Sequence, residues 1–362
     1  MTQEFKPQAL PLLIGSIPVQ DHQQAIDLVL EYTPRIPLWV QLPALPQEGM
    51  LAQFLPGLPG YVQQETADFV DTQIADFDQQ LLSFYEEYMA VTEAGQDLDQ
   101  TRFRMDEDRA RGFFVMLDKL QGPPGQDLYA VKGQITGPIT FATGVKDNQK
   151  RAIFYNEQLR DAAVKLLALK AAWQVQKMQN LQVPVIIFFD EPALAGFGSS
   201  EFISISKNDV QQCFSEVLEQ VQQRGALTGI HVCANADWSL ILESGADILS
   251  FDAYSYFDKL LLYSRELQSF LEKGGIIAWG IVPTLEPTDI ENENIPSLFQ
   301  QFQEKLVQLE QTGLSRRLLL ERSLITPSCG TGSLSLEHAV KVQELTRDLS
   351  QKIRQELIGI DG

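Results

Sequence analysis

Short β-rich apolar runs alternate with longer stretches whose apolar residues recur at helical spacing, and this alternation constrains the fold more than any other feature of the chain. The runs are 12–17, 38–42, 129–135, 185–189, 227–232, 247–251, 276–281 and 318–325. Helical patterns lie between them, among them 158–179, 207–224, 296–312 and 335–357. Repeated βα units bury a parallel sheet behind helices. Eight strands close into a (β/α)8 TIM barrel, whereas an open doubly wound sheet calls for a glycine-rich phosphate fingerprint that the sequence lacks. The expected organisation is one barrel domain over residues 1–362, with an insertion after the second strand at about 60–121. That insertion reads as helical from the spacing of Val62, Phe69, Ile74, Phe77, Leu81, Phe84 and Tyr88, and is expected to cap one side of the barrel.

Composition narrows the partners. The 48 acidic and 28 basic residues leave a net charge of −20, which repels phosphate backbones and anionic lipid surfaces, so neither nucleic acid nor a membrane is an expected partner. No apolar run approaches the ~20 residues that span a bilayer, and the start lacks a signal-peptide pattern, so the expected compartment is the cytoplasm. Three cysteines are too few for a secreted disulfide framework and direct attention to metal binding or catalysis.

The working groups of such barrels stand where the strands end. His231 and Cys233 are two positions apart at the end of 227–232, so their side chains share a face. Asp252 ends the next strand, and Cys329 follows the last one in Pro327-Ser328-Cys329-Gly330, where proline and glycine shape a tight turn. One imidazole, two thiolates and a carboxylate suit tetrahedral zinc. The His-x-Cys pair alone is more readily explained by a buried structural cysteine beside a hydrogen-bonded histidine. Cys213, inside a helical pattern, is expected to be an inert core residue.

These motifs resemble the catalytic domain of the cobalamin-independent methionine synthases, in the superfamily that also holds uroporphyrinogen decarboxylase, and the resemblance to the short single-barrel type spans nearly the whole chain. His231-Val232-Cys233 resembles that family's zinc pair. Gly245 to Asp252 aligns with the strand that ends in its third ligand, normally glutamate, and Pro327-Ser328-Cys329-Gly330 resembles its last-cysteine motif. The resemblance implies a zinc cofactor and transfer of a methyl group to a thiol. Ile14-Gly15-Ser16 is similar to the segment that binds the homocysteine carboxylate, Asp190 in Asp190-Glu191-Pro192-Ala193 to the acid that receives its amino group, and Glu48 to a second such carboxylate. Corrinoid-linked methyltransferases that act on coenzyme M share the His-x-Cys pattern, but a sulfonate thiol brings no ammonium group for these acids.

The donor implied is a methylcorrinoid, either methylcobalamin or a corrinoid protein as partner. The family's folate-dependent members carry a companion barrel and a histidine after the seventh strand, and Gly280-Ile281-Val282-Pro283-Thr284 has no acid–base residue there. A methyl group leaves cobalt without a proton. A zinc hydrolase and an idle zinc-binding barrel are the rival readings.

Overall fold

The structure, a computed structural model, describes residues 5–63, 68–121, 127–198, 202 and 204–360. Its strands are β1 (Leu10–Pro11), β2 (Tyr61–Val62), β3 (Phe69–Val70), β4 (Val131–Thr136), β5 (Val185–Asp190), β6 (Leu227–Val232), β7 (Ile248–Phe251), β8 (Ile276–Val282) and β9 (Ser323–Pro327). Seven of them form one parallel sheet in the order β1-β9-β8-β7-β6-β5-β4. The sheet curls, and its two edges are joined through residues 37–41: Lys132 donates from its backbone to Pro37, Gln41 to Gly15, and Ile17 to Gln41, at 2.9, 3.1 and 3.3 Å. The fold is the expected TIM-type barrel.

Four expected elements differ in detail, the first being the run 12–17, whose strand lies just before it as β1 (Leu10–Pro11) and which itself contributes only an isolated bridge at Ser16. The run 38–42 takes the second barrel position through two isolated bridges, Leu38 with Lys132 and Ser16 with Gln41, rather than as a continuous strand. Pro37 and Pro43 bracket it and donate no hydrogen bond, which limits the ladder there. In the run 318–325 only the second half is strand. Arg316–Glu321 is a helix, because Ser315 caps it by accepting from Leu318 N at 3.2 Å and its leucines bury one side, Leu319 and Leu320. Within 60–121, Val62 and Phe69 pair across the antiparallel β2–β3 ribbon instead of sharing a helical stripe; residues 64–67 lie outside the described residues.

The rest of 60–121 serves two purposes. Helix Phe77–Thr92 and the turn Leu98–Gln100 cover the outer side of helix Glu157–Met178. Tyr85 donates to Asp161 at 2.7 Å and Trp173 Nε1 to Asp99 at 2.7 Å, which is why that long helix is buried on nearly every side. Helix Arg111–Leu120 instead belongs to the barrel wall. It packs on helix His22–Tyr32, and Phe113 meets Trp39 edge-on with ring centroids 6.1 Å apart.

Alternation along the strands divides the core. Leu12, Ala130, Ile186, Phe188, Ile248, Ile276, Ala278 and Leu324 plug the barrel interior, and a larger cluster fills the space between sheet and helices. Among the described residues no helix is long and apolar enough to cross a membrane.

Candidate metal centre and substrate subsite

Above the plug the interior positions become polar. His231 on β6 is in register with Asp190 on β5 and Ser250 on β7. Its Nδ1 shares a hydrogen bond with Ser250 Oγ at 2.9 Å, while Nε2 is buried without a partner. Ser250 therefore fixes the ring and leaves the far nitrogen available, the usual support for a metal-binding imidazole. Sequence reasoning assigned Ser250 no role, although its place two residues before Asp252 puts it on the same face as His231 across the neighbouring strand.

Cys329 is delivered by the turn after β9. Ser328 N donates to Val282 O at 2.8 Å and Ser328 Oγ is bonded to Thr284 Oγ1 at 2.8 Å, which ties the turn to the end of β8. On its other side Thr331 N and Gly332 N donate to Ser16 O and Ser16 Oγ, at 2.9 and 3.1 Å. A Cβ on Gly330 would stand 2.3 Å from Ser16 Oγ, so this approach requires glycine.

The ligand atoms of His231, Cys233 and Cys329 all lie within 4.8 Å of one another. The Cys329 thiol donates to Cys233 and, with His231 beside it, holds Cys233 well below the usual thiol range against the opposing effect of burial. Donating to Cys233, and then burial, push Cys329 up. Two soft sulfurs and an unpartnered imidazole nitrogen at this spacing fit zinc. Asp252 stands outside this group: it caps helix Ala253–Leu260, accepting from Ser255 N at 2.8 Å, and burial raises its carboxyl, with the Cys233 charge adding to the rise. Cys213 is buried in helix Lys207–Gln222, where burial pushes its thiol up to about 12.

The two acids at the end of β5 part company. Glu191 accepts from Ile139 N, Thr140 N and Thr140 Oγ1, at 2.9, 2.8 and 2.6 Å, and so anchors the start of helix Pro138–Gly144; burial nonetheless lifts it to about 7. Asp190 Oδ1 is buried without a partner. Burial raises its carboxyl, while His231 and Lys132 act in the opposite sense. Glu48 is engaged on both oxygens, by His22 Nε2 at 2.6 Å and Leu42 N at 2.9 Å. Its present contacts anchor the loop after residue 42.

Ile14, Gly15 and Ser16 form one wall of a small cleft whose other wall includes Cys329, Gly330 and Thr331. The structure thus brings the residues expected to bind an anion into one cleft with Cys329, a member of the candidate metal group. Among the described residues, no backbone acceptor takes the N–H of Gly15 or Ser16. Lys132, on β4, was also missed. It is fully buried, donates to the Ile14 carbonyl and to Gln134 Oε1 at 3.2 Å, and burial pulls it down to about 8 against the opposing effect of Asp190. Its signal in the sequence is a lone cation inside the strand Val131–Thr136.

No family model matches the chain, and no curated protein matches it. Solved structures do. A B12-independent methionine synthase from Shewanella sp. W3-18-1, in complex with selenomethionine, superposes with a TM-score of 0.54 at 14% identity, over 97% of this chain and 100% of that one. At this identity the likeness is one of fold. A methyltransferase from Methanosarcina mazei gives a TM-score of 0.42 at 17% identity over 67% of this chain; the chain spans 65% of that methyltransferase's length. A GH20 catalytic module of a pneumococcal exo-β-D-N-acetylglucosaminidase gives 0.45 at 9% identity, over 98% of this chain and 90% of that one.

Proposed function

We propose that this chain is a cytoplasmic, zinc-dependent methyltransferase that methylates the sulfur of an amino-acid thiol, homocysteine above all. The methyl donor is a methylcorrinoid, free or carried by a partner protein. The observation that carries the reading is the group His231, Cys233 and Cys329, with ligand atoms within 4.8 Å, beside the cleft at Ile14, Gly15 and Ser16. Zinc held by these three residues would lower the pKa of a substrate thiol and favour the thiolate. Ser250 holds the His231 ring, and the tied turn 327–332 holds Cys329. Asp190 receives the ammonium group through its unpartnered oxygen. Gly15 and Ser16 receive the carboxylate through their backbone N–H groups, and the Ser16 hydroxyl adds a third donor.

What surrounds the mouth supports this donor. After β8 comes Pro283-Thr284, with no acid–base side chain, and Thr284 is bonded to Ser328. His22 is paired with Glu48 and His338 with Glu291 at 3.1 Å. Among these groups none is placed to protonate a departing folate nitrogen, whereas a methyl leaving cobalt requires no proton. The test incubates the zinc-loaded protein with methylcobalamin and a panel of thiols while following the cobalt–methyl absorbance. Homocysteine-dependent loss of that absorbance is expected, with no turnover of methyltetrahydrofolate. Robust transfer from the folate overturns the donor assignment, and preference for mercaptoethanesulfonate over homocysteine overturns the substrate assignment.

A further inference from the structure

Lys132 is a cation that the chemistry above does not use. Its ammonium sits inside the barrel, 4.5 Å from the centroid of the Phe188 ring in the apolar plug, and is fully buried. A buried ammonium is costly, and an apolar residue would fill this position among Ile186 and Phe188 at no such cost. What the charge touches accounts for its presence. Nζ donates to the carbonyl of Ile14, the first residue of the proposed carboxylate site, and Asp190 is the charged group that acts on it.

The Ile14–Gly15 peptide is trans, like every peptide bond described, so its carbonyl and the Gly15 N–H point in opposite directions. Fixing the carbonyl from inside the barrel aims that N–H away from Lys132, and Gly15 is one of the residues lining the cleft that Cys329 also lines. A charge-assisted bond to the carbonyl also polarises the peptide and strengthens its N–H as a donor.

We propose that Lys132 is the positioning residue of the amino-acid subsite, orienting the Gly15 N–H for the substrate carboxylate through the Ile14 carbonyl and placing a positive charge beneath Asp190. The inference rests on the reading that the substrate is an amino-acid thiol. One set of measurements separates the two. L-Methionine, which needs no thiol chemistry to bind, is titrated calorimetrically into the wild-type protein and into Lys132→Met, with zinc content measured on both. The KM for homocysteine and for 2-mercaptoethanol is measured alongside.

The expected result is that wild type binds L-methionine and Lys132→Met binds it about tenfold or more weakly, with unchanged zinc. The homocysteine KM should rise by a similar factor while that of 2-mercaptoethanol, which has neither carboxylate nor amine, stays constant. A merely structural lysine would move both thiols together, and that outcome overturns the inference, as does equal methionine affinity in the two proteins. Wild-type protein that binds no L-methionine removes the substrate reading itself and the inference with it. Should Lys132→Met fail to fold, Lys132→Gln replaces it: its amide can still donate to Ile14 O without the charge, so it should fall between wild type and complete loss in methionine affinity. Wild-type affinity in a folded Lys132→Gln protein and an unchanged ratio of the two KM values would count against the role.

Discussion

Two carboxylates one residue apart, Asp190 and Glu191, are spent in opposite ways at the same barrel mouth. Glu191 is saturated by three donors from the start of one helix, and Glu48 across the mouth is likewise bonded on both oxygens. On the β5–β6 side, Asp190 Oδ1 and His231 Nε2 are buried with no partner. Folding tolerates unsatisfied buried groups rarely, since each forfeits its hydration. The saturated acids hold loops in place, and the unsatisfied Asp190 and His231 atoms are the ones to which the proposed function assigns a ligand.

The largest expected effect tests the unsatisfied side at the metal group. Cys329→Ala should weaken zinc binding by about 100-fold or more and leave the purified chain short of one zinc, because one of three clustered ligand atoms is gone. Elemental analysis reads it, and Cys213→Ala should retain full stoichiometry. Next comes Asp190→Asn, expected to weaken homocysteine binding by about 2–4 kcal/mol through loss of a desolvated charge partner while zinc content holds. Equal losses for homocysteine and mercaptoethanesulfonate would remove the contrast between the two acids.

Glu191 tests the saturated side through pH. It holds its proton more tightly folded than unfolded, with a pKa raised from 4.5 to about 7, so it contributes stability below pH 4.5 that fades as pH rises through about 7. Between pH 5 and 8 the wild-type protein should lose about 2–3 kcal/mol more of unfolding free energy than Glu191→Gln does, as read from urea midpoints. A parallel pH dependence in the two proteins would show that Glu191 stays ionised on its helix. The smallest effect belongs to Ser250→Ala, which frees the His231 ring: zinc affinity should fall by about tenfold, measured by chelator competition, with the fold intact.

Much of this mouth was readable in advance because strand alternation is strictly local. His231 and Cys233 had to share a face, and the turn residues around Cys329 announced a presented thiol. The expectations that shifted turned on caps, prolines and a ribbon pairing, which apolar periodicity does not weigh. Ser315 and two buried leucines turned the start of 318–325 into helix, prolines reduced 38–42 to bridges, and Val62 found Phe69 across a ribbon.

By itself, then, the order of residues determined the βα repeat, the barrel that buries it, and which chemically able side chains end each strand, since periodicity and chain direction carry that information. Only the tertiary structure decided which of those side chains remain unsatisfied. Asp190 and Glu191 are chemically alike and adjacent, and the difference between them lies in the helix that begins at Pro138, whose backbone N–H groups reach Glu191. Asp252 and Glu48 found local donors of their own, while Lys132 acquired its place from Ile14, 118 residues earlier. Hydrogen-bond satisfaction is settled by which groups are left over once the chain has packed, and no local pattern encodes it.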